Sequence, residues 1–129
     1  MEHELLGLLE RLAAVPTKGI VYRKNEVGIQ VWVTDSTGKK HAYFVDVDGN
    51  GVNLMIDFLI AVCEAVGMFF FLFPAFRTTD RALAGWSARY SRIDIPASWP
   101  VGGEYLTQRE ASTAASLAAI KHYLLDIPQ

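Results

Sequence analysis

The chain has 129 residues, half of them apolar, 12% aromatic and a fifth charged. That is the length of one domain, spanning 1–129, and it can bury a core without disulfide or metal. A formal net charge of −2 excludes a mainly electrostatic partner, so neither nucleic acid nor an acidic membrane surface is expected. Cys63 is the only cysteine, which excludes an internal disulfide and points to a reducing, cytoplasmic setting.

Residues 2–15 read as an amphipathic helix. Leu5, Leu8, Leu9, Leu12 and Val15 fall at three- and four-residue spacing. Glu2 and Glu4 suit the positive end of its dipole, and Pro16 and Gly19 stop it. Glutamates and an arginine among these leucines are unlike an export signal. Three strands are expected next, at 20–24, 27–34 and 40–47. In the second, Val27, Ile29, Val31 and Val33 alternate with Gly28, Gln30, Trp32 and Thr34. Asn25-Glu26 and Asp35-Ser36-Thr37-Gly38 supply the turns.

A second helix is expected over 53–66, with Asn53 as N-cap and Gly67 as terminator. A fourth strand follows at 68–73. Both of its faces are apolar, which suits an interior strand or one whose outer face meets another subunit. The stretch Phe58–Phe76 is apolar apart from Glu64 and long enough to span a bilayer. Gly67, Pro74 and the phenylalanine run argue instead for a helix followed by a strand. A third helix is expected over 79–93, with Leu83, Trp86, Tyr90 and Ile93 as its stripe. Pro96, Pro100, Gly102 and Gly103 read as a loop. A final helix runs from Thr107, where Thr107-Gln108-Arg109-Glu110 fits a capping box, to about Leu125, with Pro128 beyond it. The expected fold is α+β: a mostly antiparallel sheet of about four strands packed with about four helices, in the order α-β-β-β-α-β-α-α.

Asp46-Val47-Asp48-Gly49-Asn50-Gly51 resembles the start of the calcium loop of EF-hands and dockerins. The resemblance implies Asp46, Asp48 and Asn50 as ligands, with the Val52 carbonyl, and Asp57 at the twelfth position. Asn53 where that loop is apolar, aspartate in place of the final glutamate, and a strand as the entering element all depart from it. The plainer reading is a strand-to-helix turn, so no cofactor is expected, with calcium as the alternative.

Arg77, Arg81, Arg89 and Arg92 are spaced by four, eight and three, near whole helical turns, and could hold a phosphate or form a solvated face. Asp57 and Glu64 are carboxylates two turns apart, about 10 Å, on the second helix. His3, His41 and His122 show no metal or triad spacing, and Cys63 reads as a small buried apolar residue. No nucleophile elbow, P-loop or dinucleotide-binding glycine pattern is present. Trp32 falls on the polar phase of its strand, Tyr22 is expected to share that phase, and Trp99 sits in the proline-glycine loop. These three residues would either be core, buried under a second helical layer, or line a ligand cleft or a subunit contact. In the last helix Ala111, Ala114, Ala115 and Ala118 make a smooth stripe suited to close approach by a second copy.

The function these features favour is a non-enzymatic, self-associating interaction or ligand-binding module. Its partners would be a second copy of itself in a two-fold dimer and an apolar small molecule or protein. The expected contact set is Trp32, Tyr22, Trp99, Ala111, Ala114 and Ala118, with Arg81 and Arg89. The alternatives are a small enzyme with an apolar cleft and Asp57 or Glu64 as base, and a calcium-stabilised module.

Overall fold

The computed structural model describes residues 1–15 and 19–126. Pro16 and Pro128, expected to stop the first and last helices, lie outside the described residues. The leucine stripe forms α1 (Glu2–Ala14) and buries Leu5, Leu6, Leu8, Leu9 and Leu12. The chain then builds an antiparallel meander of β1 (Ile20–Lys24), β2 (Gly28–Thr34), β3 (Lys40–Asp46) and the two-residue β4 (Gly51–Val52). Asn25 Oδ1 accepts from the Val27 and Gly28 amides and closes the first hairpin. Asp35 Oδ1 accepts from Thr37 and Lys39 and closes the second. Both turns lie where Asn and Asp side chains can replace a backbone acceptor.

The helix α2 (Ile56–Ala65) begins three residues later than expected. Asn53 is not its cap: it adopts positive φ (65°), and Met55 is the N-cap residue. Gly67 (φ 72°) ends the helix as expected, with its amide on Glu64 O. The next strand, β5 (Met68–Phe76), starts immediately. The apolar run Phe58–Phe76 is thus half helix and half strand, and among the described residues no helix is long and apolar enough to cross a membrane.

Two expectations fail after β5. The proposed helix over 79–93 is the strand β6 (Leu83–Arg92), and the proline-glycine loop is largely the strand β7 (Ser98–Tyr105). Leu83, Trp86 and Tyr90 do lie at three- and four-residue spacing, but Ala88 and Tyr90 are buried on one side while Ser87 and Arg89 alternate with them on the other. The period of two wins because the segment is the middle strand of the sheet β5-β6-β7, bonded on both edges. Pro100, Gly102 and Gly103 are tolerated because β7 is an edge. β5 is the other edge, not an interior strand. Among the described residues the order is α-β-β-β-β-α-β-β-β-α: three helices and two antiparallel sheets of four and three strands, still an α+β fold.

The core lies between the sheets. Ile20, Val31, Val33, Tyr43 and Val45 project from the first sheet and pack with the leucines of α1 and with Leu54, Phe58, Leu59 and Val62. The last helix, α3 (Gln108–Asp126), packs on the three strands of the second sheet and also against α1 and α2. Thr107 Oγ1 accepts from the Glu110 amide at its start, the first half of the capping box. Residues 111–120 are all buried except Ala118, which is half-buried.

At Gly28 (φ 149°) the close pairing of β2 with β3 leaves no room: an added Cβ would lie 2.1 Å from Val45 O. Gly28→Ala is expected to cost about 3 kcal/mol or more in urea unfolding. Gly102→Ala, where a Cβ meets nothing within 4 Å, should stay within about 0.5 kcal/mol of the parent.

Candidate functional site

The helices cover the inner face of each sheet and leave the outer faces free. On the first sheet the rung Val21–Trp32–Ala42 is flanked by Arg23–Gln30–Phe44 and by Thr34–Lys40. Trp32 meets Phe44 edge-on, with ring centroids 5.6 Å apart. A trough of about 410 Å³ runs along this face, lined by Val21, Arg23, Gln30, Trp32, Thr34 and Lys40. Tyr22 is not part of it. It pairs with Val31, opposite Tyr43, so it points to the core side. One residue of register separates the two faces of a strand, and the expected phase was off by one.

On the second sheet Phe69, Phe71 and Phe73 alternate with Phe70 and Leu72. The odd-numbered rings stand on the outer face, 37%, 41% and 44% exposed. They form a ladder, with centroids 5.0 Å apart for Phe69–Phe71 and 6.5 Å for Phe71–Phe73. Phe76 and Leu83, both exposed, pair at its far end. Arg89 lies beside Phe71 and Pro100, with its guanidinium donating to Ser98 Oγ and O at 3.0 and 3.2 Å. Arg81 is in the β5–β6 connection with positive φ (59°), and Arg77 pairs with Asp80 there. Because the expected third helix does not form, the four arginines share no helical face.

Trp99 faces inward. It stacks on Tyr90 at 5.4 Å and lies 4.5 Å from His122, whose Nδ1 is 3.0 Å from the Tyr90 hydroxyl. Trp99 therefore ties β7 to α3. Ala111, Ala114 and Ala115 are buried within the chain, and Ala118 is half-buried. The alanine stripe is thus spent on internal packing and is not a surface for a second copy. Small side chains let α3 approach both a sheet and two helices.

The calcium-like segment closes on itself. Asp46 Oδ1 accepts from the Asp48 and Asn50 amides at 3.0 and 2.9 Å, which makes the segment a side-chain-closed turn. Among the described residues no three His, Cys, Asp or Glu side chains gather as a group that could hold a metal ion. Asp57 and Glu64 are exposed along an open depression of about 220 Å³ that also touches Asp35, Lys39 and His41. Among the described residues no enclosed apolar cleft surrounds either carboxylate. His41 Nε2 lies 2.8 Å from Asp35 Oδ2.

Bonds from the Thr37 hydroxyl and then His41, with the Thr37 and Lys39 amides, hold the Asp35 carboxyl well below the usual carboxylate range. Burial, and then the neighbouring Glu2 carboxylate, pushes the Tyr43 hydroxyl up to about 12. Burial likewise pushes the Cys63 thiol up to about 12.

With this geometry in view, the chain matches no family model, no curated protein and no solved structure at a significant level. Its class is that of an α+β fold with two antiparallel sheets and helices packed on them.

Two measurements follow. A depressed native pKa stabilises the fold above the unfolded value, and that contribution is lost as pH falls through the native one. The stability advantage over Asp35→Asn should therefore be present at neutral pH. It should shrink as pH drops below the ordinary value of 3.8, as read by urea unfolding. Cys63, buried and protonated, should react with an aromatic disulfide reagent only as fast as the protein opens, so labelling should accelerate with urea. Immediate labelling of the native protein would contradict this assignment.

Proposed function

We propose that the chain is a non-enzymatic interaction module that pairs with a second copy of itself through the phenylalanine face of β5. The observation that carries this reading is the ladder Phe69–Phe71–Phe73, three exposed rings on an uncharged nine-residue edge strand. A long apolar edge without charge invites association unless something covers it. The three rings expose on the order of 250 Å² of aromatic surface. Phe76 and Leu83 extend that to about half of the roughly 800 Å² per partner in a stable interface. The rim does not oppose self-pairing. Arg77–Asp80 and Arg92–Asp94 are ion pairs within the chain, and the further charge of Arg81 lies in the β5–β6 connection rather than on β5 itself. Closed two-fold pairing satisfies such a patch with a single contact.

The covering surface is modest and association costs several kcal/mol, so a reversible dimer is expected. Sedimentation across a hundredfold concentration range should show a monomer–dimer equilibrium. Phe71→Ser should weaken it by roughly tenfold or more, at about 1.4 kcal/mol per factor of ten. Ala114→Glu is expected to unfold the chain, since Ala114 lies in its core. A monomer at all concentrations, or a dimer unaffected by both Phe71→Ser and Phe73→Ser, would remove the reading.

A further inference from the structure

We infer that the trough on the outer face of the first sheet is a binding site for a small planar organic anion, a one- or two-ring body carrying a carboxylate or similar acidic group. The site lies on the sheet opposite the phenylalanine ladder and does not depend on self-association. Trp32 sits at its centre, half-buried and propped edge-on by Phe44. Such a ring offers a flat apolar surface whose position is fixed in advance, and flat rings stack on it at little entropic cost. The trough, about 410 Å³, falls within the usual range for small-molecule sites.

The polar groups around Trp32 define the charge of the ligand. Arg23 lies toward one end and Lys40 toward the other. The rungs that carry them are four residues apart along β2, about 13 Å, with Trp32 midway. Long flexible side chains can swing from both ends toward a group bound over the indole. Neither cation forms an ion pair among the described residues. The acid on the same side of β3 is Asp46, beyond Phe44, and its Oδ1 is held by its own loop. Gln30 and Thr34, on either side of Trp32, add neutral hydrogen-bonding groups. The chain as a whole is slightly acidic, yet this trough presents two cations and no carboxylate. A neutral aromatic molecule would use only the indole. An anion would use the indole and both ends, with charge-assisted bonds to the guanidinium or ammonium.

The test uses 2-naphthoate and its neutral analogue 2-naphthalenemethanol, titrated into the intact chain by calorimetry and by ligand-observed NMR. Saturable binding of the naphthoate is expected, with the alcohol weaker by roughly tenfold, and the affinity should fall as salt is raised. Trp32→Ala should abolish binding, while Trp32→Phe, which keeps an aromatic ring on the strand, should retain part of it. The exposed pair Arg23→Gln with Lys40→Gln should leave the fold intact, reduce naphthoate affinity toward that of the alcohol, and remove the salt dependence. Phe71→Ser should change nothing in this experiment, whatever it does to the dimer. The inference is overturned by absence of saturable binding at millimolar naphthoate, or by equal affinity for the alcohol. Naphthoate binding that is undiminished in the double charge variant, or that is lost in Phe71→Ser, overturns it as well.

Discussion

The close approach that α3 makes to everything around it is the constraint on which the rest of the structure depends. One helix must fill the space between a three-stranded sheet and two other helices. A helix carrying large side chains on all sides would hold those layers apart. Ala111, Ser112, Thr113, Ala114, Ala115, Ser116 and Ala119 are all small and all buried, so neighbours can contact the α3 backbone from several directions. The polar members cost little. Thr113 and Ser116 return their hydroxyls to the carbonyls of Arg109 and Ser112, one turn earlier. Among the described residues the buried Ser112 hydroxyl has no hydrogen-bond partner.

Once α3 is placed, the exposure of the outer faces follows. Three helices supply enough surface to cover one side of each sheet, and they cover the inner ones. Met68, Phe70, Tyr90, Trp99 and Val101 meet helices, while Phe69, Phe71 and Phe73 do not. On the first sheet the same division leaves Trp32 outside and Tyr22 inside. The two outer faces differ in chemistry because of what flanks the aromatic residues. Serines and an internally bonded arginine surround the phenylalanine ladder, which suits an apolar contact. Cations at both ends surround Trp32, which suits a charged ligand. The functional proposals differ because the flanking residues differ, although each centres on aromatic side chains of a half-covered sheet.

Local signals in the sequence marked the first two-thirds of the fold well. The α1 stripe, the alternating valines of β2, the Asn25 and Asp35 turns and Gly67 each act over a few residues, so the chain near them carries its own answer. Trp32 was legible as an outward residue because it alternates with Ile29 and the buried Val31 and Val33 on a seven-residue strand. Tyr22 was not, because a five-residue strand with charged neighbours shows no phase until its register with β2 is known. The stretch 83–105 was misread for a related reason. Trp86 and Tyr90 fit a helix and a strand equally well, and Gly85, Pro100, Gly102 and Gly103 read as breakers. Hydrogen bonds to two neighbouring strands, formed over long range, select the sheet, and an edge position makes the proline and glycines acceptable.

The sequence by itself determined the α+β class, the positions of α1, β1–β3, β5 and α3, and the two-faced apolar character of the 68–73 segment. These follow from side-chain periodicity and turn chemistry, which act locally. Only the tertiary structure decided which apolar faces are used up inside the chain. The alanine stripe and Trp99 had the composition of an interface, as did the outer phenylalanines. Composition states that a surface needs cover, not what covers it. α3 and the second sheet cover the first two, and the geometry of half-covered sheets leaves the phenylalanine ladder and the Trp32 trough exposed.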